Sequence, residues 1–148
     1  MVTTALRFSN VFGPKSYLKG SVVAHFFKAL LLGQPLVVYG DGSQIRDYVY
    51  VGDLVRGIAK AIERDVTGAI QLGSGRPTTL NELIESIKKV VGPSVRVEVR
   101  YAPRRDGEVH TTWCDIRRAR KTLGYDPSTP LIDGLAATWK WFKETTPS

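Results

Sequence analysis

The sequence predicts an α/β fold, built as a small mixed sheet with packed helices. Strand-type and helix-type patterns alternate from end to end of the chain. Turns rich in Gly and Pro separate these patterns at Gly13-Pro14, Gly40-Asp41-Gly42 and Gly92-Pro93. The predicted strands are too short and too mixed for a full doubly wound sheet. The length of 148 residues fits one domain over residues 1–148.

The first half is predicted to contain three strands and two helices. A period of two indicates strands, and apolar residues spaced three and four apart indicate helices. Gly33 has the position of a helix-ending glycine. In chain order, the elements are a strand from Val2 to Val11, a helix at 20–32, strands at 36–39 and 45–51, and a helix with Asp53 as its N-cap.

The second half continues the alternation. Thr79 and Glu82 have the spacing of a capping box, which predicts a helix beginning near residue 80. A strand is predicted at 68–72, and the alternation Val-Arg-Val-Glu-Val predicts a half-buried strand at 95–99. A short helix at about 115–123 and a last helix at 131–142 follow, the last one burying Leu135 and Trp139.

Composition excludes several classes of protein. With 43% hydrophobic and 24% charged residues, the chain is typical of folded globular proteins rather than disordered ones. A single cysteine, Cys114, excludes an internal disulfide framework and favours a reducing compartment. Neither a signal peptide nor a transmembrane run is visible, so we expect a cytoplasmic protein without membrane contact.

The formal net charge of +7 indicates an anionic partner but not which anion. Nucleic acid is one candidate. However, apart from a dense run at 117–121, the basic residues are scattered, and no zinc-ligand spacing or RNP-like strand accompanies them. A phosphorylated small molecule needs only two or three arginines, so nucleic acid is the less favoured partner.

Polar residues at strand ends or in Gly-rich turns mark three candidate sites. Asn10 ends a strand, where its amide would bind an oxyanion or simply start the loop. Arg46 enters an apolar strand and needs an acid, either Asp47 or Asp53, or a phosphate. The loop at 103–108 is either a solvated charged turn or half of a diphosphate clamp. The residues alone leave these alternatives open.

Other chemistry finds little support. Two distant histidines, His25 and His110, and one cysteine do not form a metal site or a nucleophile with its base. Cys114 is predicted to be a small packed residue.

Five segments, taken in order, resemble a known family. They are 5–14 (ALRFSNVFGP), 36–54 (LVVYGDGSQIRDYVYVGDL), 72–75 (LGSG), 105–108 (RDGE) and 139–141 (WKW). Together they are similar to the carboxyl-terminal, substrate-binding half of the extended short-chain dehydrogenase/reductases. This family contains UDP-glucose 4-epimerase and other NAD-dependent sugar-nucleotide epimerases and dehydratases.

The resemblance implies a nucleotide-sugar site. In the family, the positions of Arg46 and Arg105 grip the diphosphate, and the position of Glu108 hydrogen-bonds the ribose. The remaining implied positions are Asn10 at the diphosphate, Ser21 and Val22 on the nucleotide side, and Val37 and Tyr39 flanking the base. Ser21 departs from the family's Asn or Lys, which weakens one expected contact.

The same resemblance implies that catalytic parts are missing. The family binds NAD in an amino-terminal Rossmann half that carries Gly-x-x-Gly-x-x-Gly and Tyr-x-x-x-Lys, and neither motif occurs here. We therefore expect no catalytic and no cofactor-binding residues in this chain, and no activity from it alone.

Two functional hypotheses remain. The first is the sugar-nucleotide-binding domain of an epimerase or dehydratase, and the alternative is a non-enzymatic assembly or sensor module derived from that family. In the family, the strand from Val2 to Val11 belongs to the larger sheet. Its exposed edge therefore predicts a homodimer or pairing with a Rossmann half.

Overall fold

The computed structural model describes residues 3–145. Strands and helices alternate as predicted, which confirms the α/β class. The strands are β1 (Thr4–Phe8), β2 (Asn10–Phe12), β3 (Leu36–Tyr39), β4 (Ile45–Tyr50), β5 (Gly68–Leu72), β6 (Pro77–Thr79) and β7 (Val99–Ala102). The helices are α1 (Val22–Leu31), α2 (Val51–Ile62), α3 (Leu80–Val91), α4 (Arg117–Leu123) and α5 (Leu131–Thr145).

The strands form three small sheets, of which two are parallel pairs and one is mixed. Strand β1 pairs in parallel with β5, and β3 pairs in parallel with β7. Strand β4 pairs in parallel with β2 on one side and antiparallel with β6 on the other. The prediction of a small mixed sheet with packed helices is therefore confirmed at the level of class.

The strand predicted from Val2 to Val11 is divided in the structure, and Val2 lies outside the described residues. The division falls at Ser9, whose backbone N–H donates to Leu72 O of β5 while its Oγ donates to Asp47 of β4. The chain thus changes partner at this residue, from β5 before it to β4 after it. A pattern of alternating side chains cannot reveal a change of neighbouring strand.

Two of the three helix-end signals in the sequence were confirmed, and the third was wrong. The Thr79–Glu82 capping box is present, and Gly33, which follows the C-cap residue Leu32 of the first helix, has a positive φ of 63°. Asp53, however, is not an N-cap. Helix α2 begins at Val51 directly after β4, so Asp53 lies in its first turn, where its carboxylate accepts hydrogen bonds from Arg56 and Thr129 N.

The prediction of a strand at 95–99 was also wrong. Strand β7 begins at Val99, because that residue is the first in register with Leu36 of β3. Val95 and Val97 instead pack against the core outside any strand. Strand β6 was not predicted, since it is short and begins with a proline.

Two apolar clusters hold these elements together. The larger cluster lies among α1, α3, α5 and β3, where the ring of Phe27 packs 5.3 Å from Trp139 and 5.7 Å from Phe142. Leu135 and Trp139 are buried, as predicted. The smaller cluster packs α2 and α4 on β4 and β5, and the hydroxyl of buried Tyr125 donates to Gly73 O at 2.9 Å. The candidate site lies at the edge of the larger cluster.

Candidate functional site

A cavity of about 330 Å³ gathers most of the residues that the sequence marked as candidates. It opens between α1, the end of β3 and the loop at 103–108. Val22, Val37, Tyr39, Arg105 and Glu108 line it. The residues missed by sequence reasoning are on the same walls, namely His25, Phe26, Lys28, Gln44 and Leu80.

Strand β3 supplies one wall because of its alternation. Leu36 and Val38 are fully buried in the larger cluster, so Val37 and Tyr39 face the cavity side of the strand. The Cζ atom of Arg105 lies 3.7 Å from the centroid of the Tyr39 ring, which is a cation–π contact. This stack holds an otherwise exposed arginine over the cavity.

Arg46 is linked to the charged loop rather than to either acid that the sequence offered. Its Nη2 lies 3.1 Å from Glu108 Oε1, and its Nη1 donates to Ile45 O at 2.8 Å and to His110 O at 3.0 Å. Neither Asp47 nor Asp53 pairs with it, so both structural alternatives proposed for Arg46 were wrong. The side chains of Arg46 and Glu108 are only 19% and 25% exposed.

Backbone pairing explains how the loop at 103–108, far along the sequence, reaches β4. The backbone N–H of Ile45 donates to His110 O at 2.9 Å, and Thr112 N donates back to Ile45 O at 3.1 Å. The loop turns tightly just before this pairing, at Gly107 with a positive φ of 75°. A solvated charged turn and half of a diphosphate clamp were the alternatives for this loop. The structure shows that its Glu108 makes an ion pair with Arg46.

Asn10 and Ser21 do not line the cavity. Asn10 is exposed at the start of β2, and its Nδ2 donates to Asp47 O at 3.3 Å. Ser21 is the N-cap residue of α1, between the cavity-lining Gly20 and Val22, but its side chain caps no backbone N–H. Its buried Oγ has no hydrogen-bond partner. The Ser21 hydroxyl is thus a buried polar atom without a partner, between two residues that line the cavity.

A second cavity of about 300 Å³ adjoins the first and shares Tyr39, Gln44 and Glu108 with it. Its further walls are polar. Ser43 Oγ donates to Asp41 Oδ1 at 2.6 Å and lies 3.1 Å from His110 Nε2. Hydrogen bonds from the side chain and backbone of Ser43 lower the pKa of Asp41 below its ordinary value.

The buried carboxylate of Asp47, next to Arg46 on β4, links this strand to the turn at 73–75 and to the segment that follows the charged loop. Asp47 is fully buried, and its Oδ1 accepts from Ser74 N at 2.7 Å, Ser74 Oγ at 2.8 Å and Ser9 Oγ at 3.1 Å. Its Oδ2 accepts from Gly75 N at 2.9 Å and Cys114 N at 3.2 Å. Burial and the nearby Asp47 raise the pKa of the Cys114 thiol. Sequence reasoning treated Asp47 only as a possible partner of Arg46.

The chain's Gly-rich turns do not fit NAD, the cofactor of the family that the sequence resembles. A dinucleotide site needs free backbone N–H groups in a turn that opens a helix. In the turn at 73–75, the N–H groups of Ser74 and Gly75 are already bound to Asp47, and strand β6 follows. The turn at 40–42 leads into strand β4.

Residues 3–145 contain no group of three or more His, Cys, Asp or Glu side chains that could hold a metal ion. Within the same range, no helix is both long enough and apolar enough to cross a membrane.

Comparison with known proteins gives consistent matches. A family model described as GDP-mannose 4,6 dehydratase matches residues 1–138. A putative UDP-glucose 4-epimerase of Methanocaldococcus jannaschii is 36% identical over 140 residues, which are 93% of this chain and 45% of that protein.

Solved structures match over the same extent. The UDP-glucose 4-epimerase of Thermotoga maritima with UDP-glucose has a TM-score of 0.88 and 37% identity, covering 96% of this chain and 46% of that one. The UDP-glucuronic acid 4-epimerase of Bacillus cereus, in complex with UDP-glucuronic acid and NAD, has a TM-score of 0.85 and 29% identity, covering 95% and 45%. The chain spans less than half the length of these relatives.

Proposed function

The chain belongs to the family of NAD-dependent sugar-nucleotide epimerases and dehydratases, and on that premise we propose that it binds the nucleotide part of a nucleoside diphosphate sugar. The observation that carries this proposal is the 330 Å³ cavity, which brings Arg105 and Glu108 to the same walls as Val22, Val37 and Tyr39. These residues come from distant parts of the sequence. Packing of the apolar core does not account for the two charged ones, Arg105 and Glu108, at this position.

The chemistry of the walls suits a nucleotide. Val37 and the Tyr39 ring offer an apolar and aromatic surface for a flat base. Arg105 is a planar guanidinium at the cavity, and such groups bind phosphate oxygens in pairs of hydrogen bonds. In this proposal Arg46 and Arg105 hold the diphosphate and Glu108 accepts from the ribose hydroxyls.

The remaining candidates have supporting positions. Asn10 would donate to a phosphate oxygen, and Ser21 and Val22 would lie on the nucleotide side. Relatives named for UDP-glucose and UDP-glucuronic acid make UDP-sugars the first ligands to test.

We further propose that these 148 residues bind without catalysing the family's reaction. The Tyr–Lys pair and the NAD-binding turn of the family have no counterpart in this sequence, and its Gly-rich turns are bound to the chain itself or lead into strands. Hydride transfer would then depend on residues outside this sequence.

Calorimetric titration of the 148-residue chain with UDP-glucose and UDP-glucuronic acid tests the proposal. We expect binding by the wild type and a loss of roughly 10- to 150-fold in affinity for Arg105→Ala, since a charge-assisted hydrogen bond contributes about 1.5–3 kcal/mol. Arg96→Ala is the matched control, because its side chain is 90% exposed and outside the cavity. Equal losses for both variants, or no heat with the wild type, would contradict the proposal.

An assembly role is favoured by one observation, the free edge of β1. Strand β1 pairs with β5 along one edge only, and within residues 3–145 no strand covers its other edge. Phe8 on this strand is 50% exposed. We expect a homodimer that pairs through β1, detectable by sedimentation velocity across a concentration series. A monomer at every concentration would refute the homodimer and leave pairing with a separate NAD-binding half as the use of this edge.

A further inference from the structure

The ion pair between Arg46 and Glu108 lies at the boundary of the candidate site. Glu108 lines both the 330 Å³ and the 300 Å³ cavity, whereas Arg46 lines neither. Glu108 therefore lies between the Arg46 guanidinium and the space where a ligand would enter. Arg46 is held in this position by Glu108 Oε1 and by two backbone carbonyls.

This arrangement leaves Arg105 as the accessible cation of the proposed diphosphate clamp. Arg105 is exposed at the cavity and stacked on Tyr39, so an anion reaches it without breaking an ion pair. An anion that takes the Nη2 donor now bound to Glu108 Oε1 must first separate Arg46 from that carboxylate. The two arginines are thus unequally available.

We propose that Glu108 makes the site select nucleotides over bare anions, by withholding Arg46 until a ribose hydroxyl replaces Arg46 as its hydrogen-bond partner. This selectivity rests on the proposed function of the same site. It assigns Glu108 a role in excluding inorganic pyrophosphate and phosphate, in addition to binding the ribose.

The selectivity depends on which hydrogen-bond partner each ligand leaves for the Glu108 carboxylate. When pyrophosphate takes Arg46, a carboxylate that is only 25% exposed loses its cation and faces a polyanion at short range. A nucleoside diphosphate carries the same phosphates together with ribose hydroxyls, which donate to the displaced carboxylate. Only the nucleoside diphosphate gives Glu108 a new hydrogen-bond donor in place of Arg46.

The test compares Glu108→Gln with wild type in titrations with inorganic pyrophosphate, UDP and uridine at one ionic strength, because screening alters every anion affinity. We expect the variant to bind pyrophosphate roughly fivefold more tightly, since the pair is worth up to about 1 kcal/mol. Uridine affinity falls, so the preference for UDP over pyrophosphate narrows. A general loss of structure would weaken all three ligands together.

Asp106→Asn is the matched control, because it removes one negative charge from the same loop at an exposed residue. If Asp106→Asn strengthens pyrophosphate binding as much as Glu108→Gln does, or if Glu108→Gln leaves it unchanged, the selectivity role is refuted. Glu108→Ala is a second variant with the same expectation, and circular dichroism checks that each variant is folded. A wild type that fails to bind UDP refutes the proposed function itself, whereas UDP binding with unaltered pyrophosphate affinity refutes only the role of Glu108.

Discussion

Replacing Asp47 by Asn tests whether the buried carboxylate stabilises the region around the site. Both carboxylate oxygens are acceptors, and the donors to them include three backbone N–H groups, those of Ser74, Gly75 and Cys114. Asparagine has one acceptor oxygen and one amide that only donates. With its oxygen at the Oδ1 position, the amide would face the N–H groups of Gly75 and Cys114. In the flipped orientation it would face the N–H of Ser74.

At least one buried backbone N–H therefore loses its acceptor in either orientation. Leaving such a donor unsatisfied costs about 1–3 kcal/mol, so we expect Asp47→Asn to lower the free energy of unfolding by about 2 kcal/mol. Urea denaturation followed by circular dichroism measures this change. With a slope of about 2 kcal/mol per molar urea, the midpoint should fall by about 1 M.

Asp126→Asn is the control, since it makes the same chemical change at an exposed residue and should leave the midpoint in place. An Asp47→Asn midpoint within error of wild type would refute the reasoning. It would mean that the surrounding turn relaxes to find other acceptors, and that Asp47 does not hold these segments together.

Further outcomes follow from the contacts of three residues, Thr79, Tyr39 and Cys114. Thr79→Ala removes a capping side chain and should lower the free energy of unfolding by about 1 kcal/mol in urea at neutral pH. Hydrogen bonds from the Thr79 backbone and side chain lower the pKa of Glu82, so the stability they give is lost as the pH falls below 4.5, and acid titration of the variant should show a smaller loss. Tyr39→Ala frees Arg105 and should weaken UDP binding two- to fivefold by calorimetry, whereas Tyr39→Phe should retain it. The raised pKa of Cys114 predicts slower alkylation by iodoacetamide at pH 8 in the folded chain than after unfolding in urea.

The elements that sequence reasoning predicted well are those with strong local signals. The capping box at Thr79 determines where α3 starts, because it satisfies backbone donors within four neighbouring residues. The failures depend on distant partners. Asp53 is a residue type that N-caps favour, but its carboxylate accepts hydrogen bonds from Thr129 N and Arg56 instead. Strand β7 is positioned by its register with β3.

The candidate site divides in the same way. Motif resemblance selected Tyr39, Arg105 and Glu108, which line one cavity. It also selected Arg46 but could not say what the guanidinium binds, because Glu108 lies far along the chain and reaches it only through the pairing of Ile45 with the segment after the loop. No local pattern marks Lys28 or Gln44 as cavity residues, since each is an ordinary polar residue in its own segment.

The sequence by itself determined the α/β class, the ends of the well-signalled helices and the family to which the chain belongs. These follow from side-chain periodicity, from capping contacts within a few residues and from motifs read in order. Only the tertiary structure decided that Arg46 pairs with Glu108 and that Asp47 binds three backbone N–H groups from two distant segments. Those outcomes depend on which distant segments pack together, because a hydrogen bond or ion pair requires two groups to meet within about 3 Å whatever their separation along the chain.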